Sequence, residues 1–263
     1  MPRLDPDSVV LHSTGSGAPV LLLHCLGVDR RFWDFAEGLA EKFRLLGFDL
    51  PGHGETPVPS DAYSIEDLAD LAVQVLRREG IARTHVIGIS LGGLIAQRLA
   101  AAYPDLVDRS VLIDTTPRYT DELRSMWALR AKAAREQGVG SLVDGLLPIW
   151  FTPQAIAQDS PEVRYVREAL ARCPGEGYAL ACEALAAADL RDDVKRIKAP
   201  TLVICGDEDI PSFLEAARWL AATVVGAKIG WIARARHASV LERPTEALRL
   251  ISELRPEDSV AVY

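Results

Sequence analysis

Residues 85–94 read HVIGISLGGL, and this stretch restricts the fold of the 263-residue chain more than any other. An apolar run enters Gly88-Ile89-Ser90-Leu91-Gly92, and a second apolar run, LIAQRLAAA, leaves it. The first run is continuous rather than alternating, which suits a strand covered on both faces, as in a parallel sheet. The second has helical character. A chain passing from such a strand straight into a helix must turn sharply. Glycines two residues to either side of Ser90 remove the side chains that would clash in that turn. The strain lifts the serine hydroxyl clear of the backbone at the amino end of the helix. Such a junction presents a nucleophile.

The same punctuation recurs. APVLLLHCLG, FRLLGFDLPG, THVIGIS, RSVLIDTTP, APTLVICGDED and AKIGWIARARH read as strands. Amphipathic stretches lie between them. In SIEDLADLAVQVLRREG, Ser64 caps a helix with Asp67 at its third position. Ile65, Leu68, Leu71, Ala72 and Val75 share one face, and Gly80 ends it. RRFWDFAEGLAEKF is expected to be a helix with Phe32, Ala36, Leu39 and Phe43 on one side. Alternation of this kind implies an α/β fold with a mostly parallel sheet and right-handed crossovers. The alternation stops after Asp114. From Pro117 to Ala188 only helical patterns appear, and strands resume at Pro200. The expected organisation is a core domain of residues 1–116 and 189–263 with a helical lid, 117–188, inserted between two strands of one sheet.

Composition removes several classes of function. Asp and Glu number 37 against 29 Lys and Arg, a formal net charge of −8, with no basic run to hold nucleic acid. Cys25, Cys173, Cys182 and Cys205 have neither CxxC nor zinc-like spacing. Cys25 and Cys205 fall in apolar runs and read as buried free thiols. The start, MPRLDPDSVV, has no apolar core of a signal peptide, and no apolar run is long enough for a membrane span. A reducing cytoplasm, no membrane and no metal are the expectation. Oligomeric state is left open.

A serine hydroxyl needs a base. His237, in RARHASVLERP after the last strand-like run, is the candidate. His53 sits in a Gly-rich turn and reads as structural, His24 begins a loop, and His12 and His85 read as ordinary strand or loop residues. The base needs an acid to set its tautomer. GDED offers Asp207, Glu208 and Asp209, of which Asp209 is chosen, with Asp207 the alternative. Asp114, at another strand end, is a second-line candidate and reads first as a strand-end cap. The order Ser90, Asp209, His237 suits this architecture. Backbone N–H groups of Leu91, after the nucleophile, and Leu26, in the loop after VLLLH, are expected to hold an oxyanion.

Taken together, the Ser90 elbow, HCLG, DLPGHGET, GDED and RHASVLERP resemble the α/β-hydrolase superfamily over nearly the whole chain. Within it, Trp127 to Arg130, Trp150-Phe151, Gly177-Tyr178 and Asp189-Leu190-Arg191 resemble the 3-oxoadipate enol-lactonase group. The chain departs from that group where His24-Cys25 stands in place of Asn-Ser, and where the turn after Asp209 is a residue short. The resemblance implies a serine hydrolase of a small lactone or ester, most specifically a carboxylate-bearing enol lactone of aromatic degradation, with no metal or organic cofactor. Arg130, and after it Arg118, is the expected clamp for the substrate carboxylate, with Trp127 and Trp150 as pocket walls. A carboxylesterase, a carbon–carbon bond hydrolase and a haloperoxidase-like enzyme would use the same three residues. A non-catalytic binding protein retaining the pocket is the reading from another class. Ser90 in place of Asp disfavours a haloalkane dehalogenase.

Overall fold

A computed structural model describes residues 4–252, so 1–3 and 253–263, the two ends of the expected core span, lie outside the described residues. The apolar runs become β2 (Ala18–Leu23), β3 (Phe43–Gly47), β4 (Thr84–Ile89), β5 (Val107–Ile113), β6 (Thr201–Gly206) and β7 (Lys228–Ile232), preceded by a short β1 (His12–Thr14). They form one seven-stranded sheet in the order β1-β3-β2-β4-β5-β6-β7. All pairs are parallel except β1 with β3. The interior strands β4 and β6, each flanked on both sides, are buried at every position, as their unbroken hydrophobicity requires. β1, with sequence His-Ser-Thr at the sheet edge, carries no apolar signal and was not among the strands expected from sequence.

Helix α1 (Ile65–Arg78) starts as the sequence implies. The Ser64 hydroxyl accepts the Asp67 N–H at 3.1 Å, and the Asp67 carboxylate accepts the Ser64 N–H at 2.8 Å. Helix α2 (Leu91–Ala102) is apolar on nearly every side and is enclosed against the sheet. Full burial of Leu94, Ile95 and Leu99 contributes roughly 1.5–3 kcal/mol each. The stretch Arg30–Glu41 departs from expectation. It is a 3-10 helix, and Phe43 lies beyond it as the first residue of β3. Trp33, Ala36 and Leu39 recur at a spacing of three, which a three-residue turn places on one side; Trp33 and Ala36 are buried there beside Phe32.

Between β5 and β6 the chain forms α3 (Asp121–Gln137), α4 (Val143–Trp150), α5 (Pro153–Ala157), α6 (Pro161–Arg172), α7 (Gly175–Ala187) and α8 (Arg191–Val194). The stretch enters and leaves through one neck. Arg118 and Asp189 form an isolated antiparallel bridge, and the Leu190 N–H donates to the Pro117 carbonyl at 2.8 Å. Helix α9 (Pro211–Thr223) follows β6, and α10 (Ser239–Glu242) and α11 (Pro244–Ile251) follow β7. No helix among the described residues is long and apolar enough to cross a membrane. Backbone bonds step across the sheet at its carboxyl edge: Ser90 N–H to Ile113, Asp114 N–H to Ile204, Asp207 N–H to Ile232, at 2.9, 2.9 and 3.0 Å. The residues just past β4, β5 and β6 therefore lie side by side, where parallel sheets expose their ligand crevice.

Candidate active site

Ser90 occupies φ 52°, ψ −113°, a conformation that strains any residue with a side chain. The local sequence explains how the chain tolerates it. A Cβ on Gly88 would collide with the Gly92 carbonyl, and one on Gly92 with the carbonyls of Leu23 and His24. The glycines let β2, β4 and α2 close around the turn. The Ser90 N–H is held by Ile113, and its carbonyl accepts the Thr115 hydroxyl at 2.9 Å. The serine side chain makes no cap to α2 and is left pointing outward.

The outward hydroxyl meets an imidazole. His237 Nε2 lies 3.0 Å from Ser90 Oγ, and His237 Nδ1 lies 2.8 Å from Asp209 Oδ2. Asp209 is held in turn by the Ile210 N–H, which donates to Oδ1 at 2.7 Å. All three side chains are buried, with 4–7% of their residues exposed, so bulk water does not screen the chain of bonds. Burial works against a charged imidazole, but the charge and hydrogen bond of Asp209 outweigh it and raise the His237 pKa above the ordinary histidine value. Asp207, the alternative acid, is exposed and instead accepts the Arg234 N–H at 2.6 Å.

The loop carrying His237 is tied on both sides. Asp114 accepts the Gly206 N–H at 2.9 Å through one oxygen and the Ser239 hydroxyl at 2.6 Å through the other. It thus joins the ends of β5 and β6 to the His237 loop. Burial, and after it the charge of Asp209, push the Asp114 pKa up to about 7. On the insertion side, the Ala238 N–H donates to the Trp150 carbonyl at 2.9 Å. Glu242 bridges the Thr152 N–H at 2.9 Å and the Arg236 N–H at 2.8 Å.

Above Ser90 lies a cavity of about 60 Å³, room for about four to six waters. Ser90, His237, Leu26, Trp127, Trp150, Arg130, Tyr119, Tyr178, Met126 and Phe213 are among its walls. The Leu91 N–H is the first of α2 and so has no acceptor within that helix. No backbone acceptor takes the Leu26 N–H among the described residues. Trp150 meets His237 edge-on at 6.3 Å. The Arg130 guanidinium lies over the Trp127 ring at 4.9 Å and forms no ion pair among the described residues. Arg118 is elsewhere. It is not in the cavity wall, pairs with Asp121 at 2.8 Å and Asp189 at 3.7 Å, and lines a neighbouring, more open pocket of about 300 Å³.

Sequence reasoning missed Tyr119, Tyr178, Met126 and Phe213 as cavity walls. Phe213 lies 4.5 Å from the His237 ring, and Tyr119 is edge-on to both Trp127 and Phe213. Tyr178 lies in the Gly177-Tyr178 pair that carries the enol-lactonase resemblance, a signal that could have found it; no motif marks the other three, since each reaches the cavity from a helix or loop whose approach depends on packing. The remaining buried histidines support loops. His24 Nδ1–H donates to the Cys25 carbonyl at 2.8 Å, and Nε2 accepts the Leu50 N–H at 2.9 Å, which requires a neutral ring. Burial, against the charge of Asp49, lowers its pKa. His53 is lowered by burial to about 3. Cys25, Cys182 and Cys205 are buried free thiols, and Cys173 is a half-buried one.

Comparison with known proteins places the fold among the α/β hydrolases. A family model described as the alpha/beta hydrolase family matches residues 20–249. The 3-oxoadipate enol-lactonase 2 of Acinetobacter baylyi is 33% identical over 78% of this chain and 75% of its own length. The pimeloyl-[acyl-carrier protein] methyl ester esterase of Chromobacterium violaceum is 29% identical over 94% of this chain and 97% of its own. The crystal structure of the enol-lactonase from Burkholderia xenovorans LB400 superposes with a TM-score of 0.89 at 32% identity, covering 93% of this chain and 95% of that one.

Proposed function

The chain belongs to the α/β hydrolase family, and on that footing we propose that it hydrolyses a small carboxylate-bearing enol lactone, 3-oxoadipate enol-lactone or a near analogue, in the aromatic-degradation route where that lactone arises. It is a hydrolase of carboxylic ester bonds, like the relatives named as an enol-lactonase and a methyl ester esterase. The observation that carries the specific reading is the line Ser90–His237–Asp209, with bonds of 3.0 and 2.8 Å, opening into a cavity that holds an arginine with no ion pair among the described residues.

In this reading Ser90 Oγ attacks the lactone carbonyl while His237 Nε2 takes its proton. Asp209 keeps the other ring proton on Nδ1 and supports the imidazolium. The N–H groups of Leu26 and Leu91 receive the oxyanion; one such donor is worth about 3 kcal/mol. The ring C–O bond breaks, its electron pair stays on the leaving oxygen, and His237 returns the proton. The enol so formed becomes the ketone. Water, deprotonated by His237, then releases the acid from Ser90. Arg130 pairs with the substrate carboxylate, and Trp127 and Trp150 wall the ring. Residues 117–188 act as the lid over the core of 1–116 and 189–263. No metal or organic cofactor takes part, and the free thiols suit a reducing cytoplasm.

The esterase relative, matching nearly the full length of both chains, favours a simple carboxylic ester as the second reading. A turnover screen of enol lactones, aryl and methyl esters and ring-cleavage diketones, with fluorophosphonate labelling of Ser90, tests both. The enol lactone should give the highest kcat/KM by at least about tenfold. Preference for a neutral ester would replace the lactonase reading. Folded protein that neither labels nor turns over any of them would leave only a binding protein.

A further inference from the structure

The geometry points to the Tyr119 hydroxyl as a hydrogen-bond donor to the leaving oxygen of the substrate, a role that rests on the hydrolase reading of Ser90 and His237. Tyr119 is 1% exposed, and its oxygen is fully buried with no hydrogen-bond partner among the described residues. Leaving a hydroxyl buried and unpaired is unfavourable, because it gives up its bonds to water and gains none in return. That cost is recovered when a ligand supplies an acceptor, and Tyr119 lines the same small cavity as Ser90 and His237.

Topology says which substrate oxygen it faces. Ser90 ends β4, between β2 and β5 in the sheet. Leu26, one of the two oxyanion donors, follows β2. Tyr119 follows β5, on the opposite flank, where β6 and β7 also deliver Asp209 and His237. Tyr119 is edge-on to Phe213 at 6.2 Å, and Phe213 lies 4.5 Å from the His237 ring. A tetrahedral carbon on Ser90 with its oxyanion toward Leu26 and Leu91 turns its leaving oxygen to the imidazole that will protonate it. Tyr119 stands on that side. Ser90 lies close enough to oppose the rise in the Tyr119 pKa that burial causes, without hydrogen-bond geometry, and burial prevails. The phenol therefore stays protonated at working pH and gives a hydrogen bond, not a proton. When the C–O bond breaks, its electron pair passes to the leaving oxygen. The proton comes from His237 Nε2, and Tyr119 keeps its own while holding the oxygen as charge develops.

The test is Tyr119→Phe, which keeps the ring packed on Trp127 and Phe213. Both proteins are assayed for kcat/KM, which reports acylation, on esters of one acid spanning a wide range of leaving-group pKa. The activated 4-nitrophenyl ester should change by less than about threefold and the least acidic alcohol fall by about 10–100-fold, so the dependence on leaving-group pKa steepens. Equal slopes, or one uniform loss, would overturn the role. Two controls separate the causes. Fluoride leaves without help, so fluorophosphonate should label Ser90 at the same rate in both proteins. Removal of an unpaired buried hydroxyl should leave the urea midpoint unchanged or raised. If wild type itself fails to label, the hydrolase reading is lost and takes the Tyr119 role with it; normal labelling with unchanged slopes removes Tyr119 alone.

Discussion

The Asp114 carboxylate accepts the hydroxyl of Ser239 at 2.6 Å, two residues beyond His237. A residue read first as a strand-end cap thus also holds the loop that brings the imidazole over Ser90. The same carboxylate, the Asp209 carboxylate and the Cys205 thiol have ligand atoms within 4.8 Å of one another. Two acids share a dry site, and one of them resists ionising.

That resistance has a pH signature. The folded pKa of Asp114 is raised to about 7 from an unfolded value of 3.8. An acid raised in this way contributes most below the unfolded value and loses its contribution as pH rises toward the folded one. Asp114→Asn removes this titration. Unfolding free energy followed by urea from pH 4 to 8 should therefore fall more steeply with pH in wild type than in the variant, by on the order of 1–3 kcal/mol across that window. Parallel curves would contradict the raised pKa.

His237→Ala should lower kcat by about a thousandfold or more. Its fold should survive, because the Ala238 bond to Trp150 and the Glu242 bond to Arg236 do not involve the imidazole. A base must be neutral to act, so wild-type kcat/KM should rise with pH through a pKa above 6.5. In Asp209→Asn that limb should move to lower pH and kcat should drop by a similar factor. A limb unmoved by Asp209→Asn would separate Asp209 from the base.

Backbone strain at Ser90 predicts an asymmetry between two inactive variants. Alanine keeps a Cβ at φ 52°, whereas glycine has none. Ser90→Gly should be more stable than Ser90→Ala by about 1 kcal/mol, seen as a Tm about 2–4 °C higher. Equal melting temperatures would mean that the turn is not strained.

Gly88→Ala should do the reverse. Its Cβ would press on the Gly92 backbone, which cannot rotate away as a side chain could. Overpacking against fixed backbone costs about 3 kcal/mol. The expected result is a lowered urea midpoint with an unchanged m value, together with lost activity.

Arg130→Gln tests the carboxylate clamp. A charge-assisted contact is worth about 1.5–3 kcal/mol, so KM for carboxylate-bearing substrates should rise roughly 10–100-fold. Neutral esters should change little. Equal shifts for both classes would assign Arg130 to packing on Trp127 alone.

Much of the fold is readable because its signals are local. Unbroken apolar runs mark β2 to β7, Ser64 with Asp67 marks the start of α1, and two glycines around Ser90 mark a turn that few other residues tolerate. Where local signals are weak, reading fails. β1 is polar and lies on an edge. Arg30–Glu41 has apolar spacings that fit both three and 3.6 residues per turn, and only docking against the core selects the tighter helix.

The amino-acid sequence by itself determined the alternation of strand and helix, the helical stretch between β5 and β6, and the serine at the strand-to-helix turn. Each follows from hydrophobic period or backbone sterics within about a dozen residues. Only the tertiary structure decided that Asp209 rather than Asp207 meets His237, that Arg130 rather than Arg118 faces the cavity, and that the Tyr119 hydroxyl has no hydrogen-bond partner there among the described residues. Those choices depend on groups far apart in the chain, such as Ser90 and His237, 147 residues distant. Their meeting is set by the angle at which separate strands deliver them, and no local period encodes that angle.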